Sequence, residues 1–248
     1  MSDLIPVAYI SGLNVRKRIS RQQPKGLPIV NMGYNELPYP PFAGVQAAIA
    51  ETATRANRYG NALCTDLREA LAAQHGLNAD SLICGNGSEE LLDVVARCFV
   101  RPGDEIVISQ YGYIQFSMIA NRLGAQLVQA PEVDFTAKVD HILEAVGEKT
   151  RLVFLANPNN PTGTMLPPEE LARLVQNLPG DVVLVLDLAY GEFVSADYCA
   201  GVHALVKAHD NVVATRTFSK VYGLAGLRAG WCHAPGAMMG GLYAARGM

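Results

Sequence analysis

The 248-residue chain carries no excess of positive charge. Its 20 Lys and Arg stand against 23 Asp and Glu, a formal net charge of −3, so composition makes no electrostatic case for nucleic acid. One basic run, Arg16, Lys17, Arg18, Arg21 and Lys25, reads as a solvated arm. No charged start leads into an apolar core, so no signal peptide is expected. No apolar run reaches the length of a bilayer, and Val182 to Leu186 is stopped by Asp187. The five cysteines (Cys64, Cys84, Cys98, Cys199, Cys232) are odd in number, scattered and without a C-x-x-C pair. That pattern excludes a disulfide framework and fits free thiols in a reducing cytoplasm. The five histidines show no metal-ligand spacing, so no metal site is expected. Repeats and low-complexity linkers are absent.

Apolar residues are plentiful, 50% of the chain, enough to bury a sizeable core in one large or two small domains. Short β-branched runs alternate with amphipathic stretches. Strands are expected at Ser81–Cys84, Glu105–Ser109, Gln126–Ala130, Leu152–Ala156, Val182–Asp187, Val212–Thr215 and Ala229–Ala234. Several are continuously apolar, as strands covered on both faces should be. Helices are expected at Thr65–His75, with Thr65 as its cap, and at Ser88–Val100, Tyr113–Leu123 ending at Gly124, and Pro168–Leu178. Such alternation indicates an α/β domain with a mostly parallel sheet. The Pro- and Gly-containing segment before Asn35 reads as an extended arm.

The chemistry-bearing residues sit at the ends of these strands. Lys220 follows the run Asn211–Thr215 within Arg216-Thr217-Phe218-Ser219-Lys220-Val221-Tyr222-Gly223, and Arg228 comes eight positions later. A lysine amine can form a Schiff base with an aldehyde cofactor. Asp187 ends the most apolar strand, where a buried carboxylate is costly unless paired; it is either a satisfied structural acid or the partner of a cation. Asn157-Pro158-Asn159-Asn160-Pro161-Thr162-Gly163 follows another strand and by itself is a turn. Gly85-Asn86-Gly87-Ser88-Glu89-Glu90 joins a strand to a helix, and reads equally as a capping turn or as an anion cradle.

Together these segments resemble the pyridoxal-phosphate aminotransferases of fold type I, and among them the histidinol-phosphate aminotransferase family, from about Asn35 to about Gly230. The resemblance implies an α/β large domain with a mostly parallel seven-stranded sheet flanked by helices. Residues 1–40 would be an arm and part of a small domain, and 41–248 the domain holding pyridoxal 5′-phosphate. It implies that Lys220 forms the Schiff base and moves the proton at the substrate's Cα. Asp187 would hold the pyridine nitrogen, and Tyr190 and Asn160 the phenolic oxygen. Gly87, Ser88, Glu89, Thr217, Ser219 and Arg228 would cup the phosphate, and Tyr111 would stack on the ring, Tyr113 being a core or turn residue. Tyr59 would reach the phosphate of a partner subunit in a homodimer. Asn35-Glu36 with Pro38-Tyr39 would lie near the substrate.

The implied reaction transfers an amino group between L-histidinol phosphate, or a related amine, and 2-oxoglutarate, in the cytoplasm. An aromatic amino-acid aminotransferase, a phospho-amino-acid decarboxylase and a catalytically impaired cofactor-binding chain are the alternatives. Two departures stand out. Leu188 occupies the position where the family usually has glutamate. The chain also reaches Met248 soon after the lysine segment, so the rest of the small domain, with its carboxylate-binding arginine, is expected to be missing. Gly236-Ala237-Met238-Met239-Gly240-Gly241 reads as a poor helix former.

Overall fold

Seven short runs rich in Val, Ile and Leu pair into one sheet in the computed structural model, which describes Gly26 and residues 32–247. The basic run at 16–25 and most of the arm expected at 1–40 lie outside the described residues. In chain order the elements are α1 (Ala43–Ala53), α2 (Thr65–His75), β1 (Leu82–Gly85), α3 (Ser88–Phe99), β2 (Glu105–Ser109), α4 (Ile114–Leu123) and β3 (Gln126–Ala130). There follow α5 (Val139–Ala145), β4 (Thr150–Ala156), α6 (Pro168–Asn177), β5 (Val183–Asp187), α7 (Ala196–Ala208), β6 (Val212–Thr217), β7 (Gly230–His233) and α8 (Gly236–Ala245). The strand order is β1-β7-β6-β5-β4-β2-β3. Pairing is parallel from β3 through β6, and β7 runs antiparallel to both β6 and β1. The expected mostly parallel sheet is therefore present.

Side-chain alternation divides the strands between two cores. Val183, Val185, Leu152, Phe154 and Val213 face one core, which α3, α4 and α8 cover. Leu184, Leu186, Val153, Leu155 and Val212 face the other, under α5, α6 and α7. In the first core Phe116 stacks on Phe154 with centroids 4.6 Å apart. Burial on both faces explains why these strands read as unbroken apolar runs rather than as alternating ones.

The helix ends follow local chemistry, with corrections to two expectations. Gly124 closes α4 in the left-handed region at φ 66°, as expected of a glycine cap. Thr65 is not the cap of α2: Cys64 occupies that position at φ 51°, and the Thr65 hydroxyl instead accepts from Asn61 Nδ2 at 2.9 Å. Residues 236–245 form a helix despite their glycines. Met239 and Leu242 enter the first core, and Tyr243 donates to Leu82 O at 3.1 Å, so tertiary burial outweighs poor propensity. In contrast, no residue of α1 is buried.

Candidate active site

The carboxyl ends of β4, β5 and β6 meet at Ala156, Asp187 and Thr217, and a cavity of about 330 Å³ opens beside them. Ligands in open α/β sheets bind at such strand ends. Around this cavity the fold gathers Ser88, Glu89, Asn160, Asp187, Tyr190, Thr217, Ser219, Lys220 and Arg228. All nine are residues that the sequence singled out.

Asp187 lies at the end of β5 with 3% of its surface exposed. Its Oδ1 accepts from Thr215 Oγ1 at 3.1 Å and from the Ala189 amide at 3.2 Å. Burial nevertheless pushes its carboxyl up to about 6, the two hydrogen bonds and the charge of Lys220 opposing the rise. A carboxyl held this way is short of a cation. Lys220 is half-buried, with Nζ 2.9 Å from Tyr34 O and 5.7 Å from the centre of the Tyr190 ring. A turn closed by Gly223 N to Lys220 O at 2.9 Å, with Gly223 at φ 67°, fixes the lysine backbone just past β6. Tyr190 stands on the turn after β5, and its hydroxyl accepts from Asn35 Nδ2 at 2.8 Å. The Asn35-Glu36 segment thus lies across the lysine and the tyrosine, and Tyr34 and Glu36 line the cavity.

The N-terminus of α3 forms one wall. Gly87 is its cap at φ 86°, and Glu90 reaches back so that the Asn86 amide donates to Oε2 at 2.5 Å. Ser88 and Glu89 occupy the first helical positions, where amides lack intrahelical partners and the dipole end is positive. A side chain at Gly87 would run into the Arg228 guanidinium, and a Cβ at Gly230 would lie 2.5 Å from Ser88 N. Both glycines are therefore needed for this close approach of strand, helix and arginine. Arg228, itself at φ 52°, donates to Asn86 O at 3.3 Å and to Ser219 Oγ at 3.4 Å. Thr217 Oγ1 donates to Ser219 Oγ at 2.9 Å. One guanidinium, two hydroxyls and a helix N-terminus make a cradle for an anion.

Asn160 is carried by a loop anchored from beneath. Asn157, 1% exposed, donates to Leu166 O at 2.9 Å and to Tyr198 OH at 2.7 Å, and accepts from Leu166 N at 2.7 Å. Tyr198 donates back to Asn157 O at 2.9 Å.

Two of the expected residues stand elsewhere. Tyr111 is 42% exposed and lines an adjoining cavity of about 560 Å³, which shares Tyr34, Tyr113, Asn160 and Lys220 with the first. Asn159 ties it to the Asn160 loop by donating to Tyr111 O at 3.0 Å. Tyr113 packs on the first core, as expected, but it also lines both cavities, a role the sequence did not reveal. Tyr59 is fully exposed and lines a separate, mostly apolar groove between α1 and residues Leu227 and Ala229, on either side of Arg228. Gln115 lines the first cavity at 6% exposure, and its Oε1 has no partner among the described residues. Nothing in its sequence context marked it.

All five cysteines are free thiols. Among the described residues no group of three or more His, Cys, Asp or Glu could hold a metal ion, and no helix is long and apolar enough to cross a membrane.

A family model for class I and II aminotransferases matches residues 28–246. A histidinol-phosphate aminotransferase of Maricaulis maris is 48% identical over 202 residues, covering 81% of this chain and 56% of that protein. Another, of Ruegeria pomeroyi, is 49% identical over 207 residues, covering 84% of this chain and 57% of that protein. Among solved structures, the histidinol-phosphate aminotransferase of Sinorhizobium meliloti in complex with pyridoxal-5′-phosphate superposes with a TM-score of 0.80 at 33% identity. That match covers 86% of this chain and 62% of the other. The chain thus spans less than two thirds of the length of these relatives.

Proposed function

The chain belongs to the class I and II aminotransferase family, and from that premise we propose that it is the cofactor-holding part of a histidinol-phosphate aminotransferase. The reaction moves an amino group between L-histidinol phosphate and 2-oxoglutarate, with pyridoxal 5′-phosphate held in the 330 Å³ cavity and residues 41–248 forming the domain that holds it. The observation that carries this reading is that one cavity is lined by a buried Asp187 without an ion-pair partner among the described residues, a half-buried Lys220 and a separate anion cradle. The residues fit the cofactor. Gly87 and Gly230, where a Cβ would strike the Arg228 guanidinium and the Ser88 amide, let those anion-binding groups stand together at the α3 N-terminus.

Bound there, the cofactor supplies an electron sink for the pair left on the substrate's Cα when its proton departs. Asp187 would hold the pyridine nitrogen and favour its protonated form. Lys220 Nζ would hold the aldehyde carbon, and its amine would be the base that moves the proton at the substrate's Cα. Tyr190 OH and the Asn160 amide donate to the phenolic oxygen. Ser88 and Glu89 offer backbone N–H groups to the phosphate, and Thr217, Ser219 and Arg228 complete its binding. Tyr113, which lines both cavities, and Tyr111, in the adjoining one, would flank the cofactor ring. A second copy of the chain supplies Tyr59 and covers α1 and the apolar groove beside it, making the protein a homodimer. Free thiols throughout suit a cytoplasmic enzyme.

The test is spectroscopic. The purified chain with pyridoxal 5′-phosphate should show a visible band, and borohydride should remove the band and fix the cofactor's mass on Lys220. L-histidinol phosphate should then bleach the unreduced band in a single turnover, faster than an aromatic amino acid or a phospho-amino acid does. A label on Lys207, or no band, would refute cofactor binding at Lys220. Bleaching by the other amines alone would refute the substrate.

A further inference from the structure

Behind the cavity, on the opposite face of β6, lies a buried ion pair that the chemistry above does not use. Arg216 Nη2 is 2.5 Å from Glu192 Oε1, with side-chain exposures of 3% and 13%. Arg216 immediately precedes Thr217 and stands four residues before Lys220. Glu192 lies two residues after Tyr190, in the short 3-10 turn Gly191–Phe193. The pair therefore joins the segment carrying the lysine to the turn carrying the tyrosine.

The sheet does not supply this link. Pairing of β5 with β6 ends at Asp187 and Thr215, and one further backbone bond, Leu188 N to Thr215 O at 2.9 Å, extends it. Beyond that point no backbone hydrogen bond joins the two segments among the described residues. Arg216 itself is held firmly. Its guanidinium lies over Trp231, 5.2 Å from the ring centre, and Nη1 is 3.4 Å from His203 Nε2. Trp231 in turn stacks on His75 and His203, at 5.2 and 5.3 Å. A guanidinium packed this way cannot follow Glu192 if the turn moves, so the turn is tethered to the strand.

We propose that the Arg216–Glu192 pair is a positioning device that sets where the Tyr190 hydroxyl stands relative to Lys220. The inference rests on the reading that the cofactor is bound at Lys220 with Tyr190 donating to its phenolic oxygen. A hydroxyl donating there takes up negative charge that would otherwise hold a proton on the lysine nitrogen. A displaced Tyr190 therefore raises the pH at which the visible band changes.

The experiment compares that pH midpoint in the wild type, Tyr190→Phe, Glu192→Gln and the double variant, each loaded with pyridoxal 5′-phosphate. Loss of one hydrogen bond to a charged acceptor should raise the midpoint by about one pH unit. Glu192→Gln should raise it, and the double variant should match Tyr190→Phe with no added shift. A fifth protein, Arg216→Met with Glu192→Leu, removes both charges together, so no orphan charge remains to unfold it. It should keep a wild-type melting temperature and still show the raised midpoint, and it gives the reading if Glu192→Gln does not fold. An unmoved midpoint in Glu192→Gln or in the paired variant, or additive shifts in the double variant, would overturn the proposal. Absence of any visible band in the wild type would instead overturn the cofactor reading on which it rests.

Discussion

Replacing Asp187 with asparagine should make the cofactor-free protein more stable at neutral pH. The carboxyl titrates at about 6 in the folded chain against an ordinary 3.8, chiefly because burial removes it from water. A carboxyl whose folded value is raised holds its proton more tightly in the native state. Its ionised form therefore opposes folding, and the cost grows as pH rises from 3.8 to about 6. At roughly 1.4 kcal/mol per pH unit the full cost is about 3 kcal/mol above pH 6. An asparagine is neutral and keeps an oxygen for the Thr215 hydroxyl and the Ala189 amide. Urea midpoints of the two cofactor-free proteins, at about pH 7.5 and about pH 4.5, measure the difference. The variant should be the more stable at the higher pH, and its advantage should shrink at the lower one. Adding pyridoxal 5′-phosphate should reverse the order, because only the wild type offers the pyridine nitrogen an anion. A cofactor-free variant that is less stable at neutral pH, or a difference indifferent to pH, would refute the reasoning.

Tyr198→Phe deprives Asn157 Nδ2 and Asn157 O of their shared partner and should cost about 1–3 kcal/mol, read as a lowered urea midpoint; no loss would show that the Asn160 loop does not depend on this anchor. Acid should destabilise the chain from about pH 6.5 downward, because burial depresses His203 to about 2 and His233 to about 4 while the unfolded rings still take protons. The slope is at most about 1.4 kcal/mol per pH unit for each ring, opposed by Asp187 below pH 6, and His233→Gln should flatten it. Mixing inactive Tyr59→Phe and Lys220→Ala chains should restore activity through hybrid dimers holding one unmutated composite site. Absence of recovery in dimers shown to exchange subunits would count against a shared site.

What the sequence conveyed, it conveyed through burial and punctuation. Strands covered on both faces read as apolar runs, and their ends were placed within two residues. The acid ending β5 and the lysine past β6 stood out because polar groups that interrupt such runs require a reason. The helix Gly236–Ala245 was not legible, because its stability comes from Met239 and Leu242 in a core that only the folded chain assembles. Gln115 and Tyr113 were hidden for a related reason: they come from the start of α4, which the fold turns toward the cavity. Arg216 and Glu192 carry no local signal at all, being 24 residues apart on separate elements.

The alternation that exposes Asp187 to the cavity also accounts for Leu188. Val183, Val185 and Asp187 share the face of β5 under α3, so the next residue must point to the other face. Leu188 is fully buried there among Leu186, Leu171 and Val202. Its side chain lies in the second core, on the far side of the sheet from the anion cradle and the lysine. A glutamate at this position would have to bury a charge in an apolar core unless a cation accompanied it. The nearby cation on that face, Arg216, is already committed to Glu192. Leu188 therefore takes no group away from the cavity. Leu188→Glu should accordingly lower stability through desolvation rather than improve cofactor binding. A variant that kept its urea midpoint and bound pyridoxal 5′-phosphate more tightly would show that position 188 does reach the site.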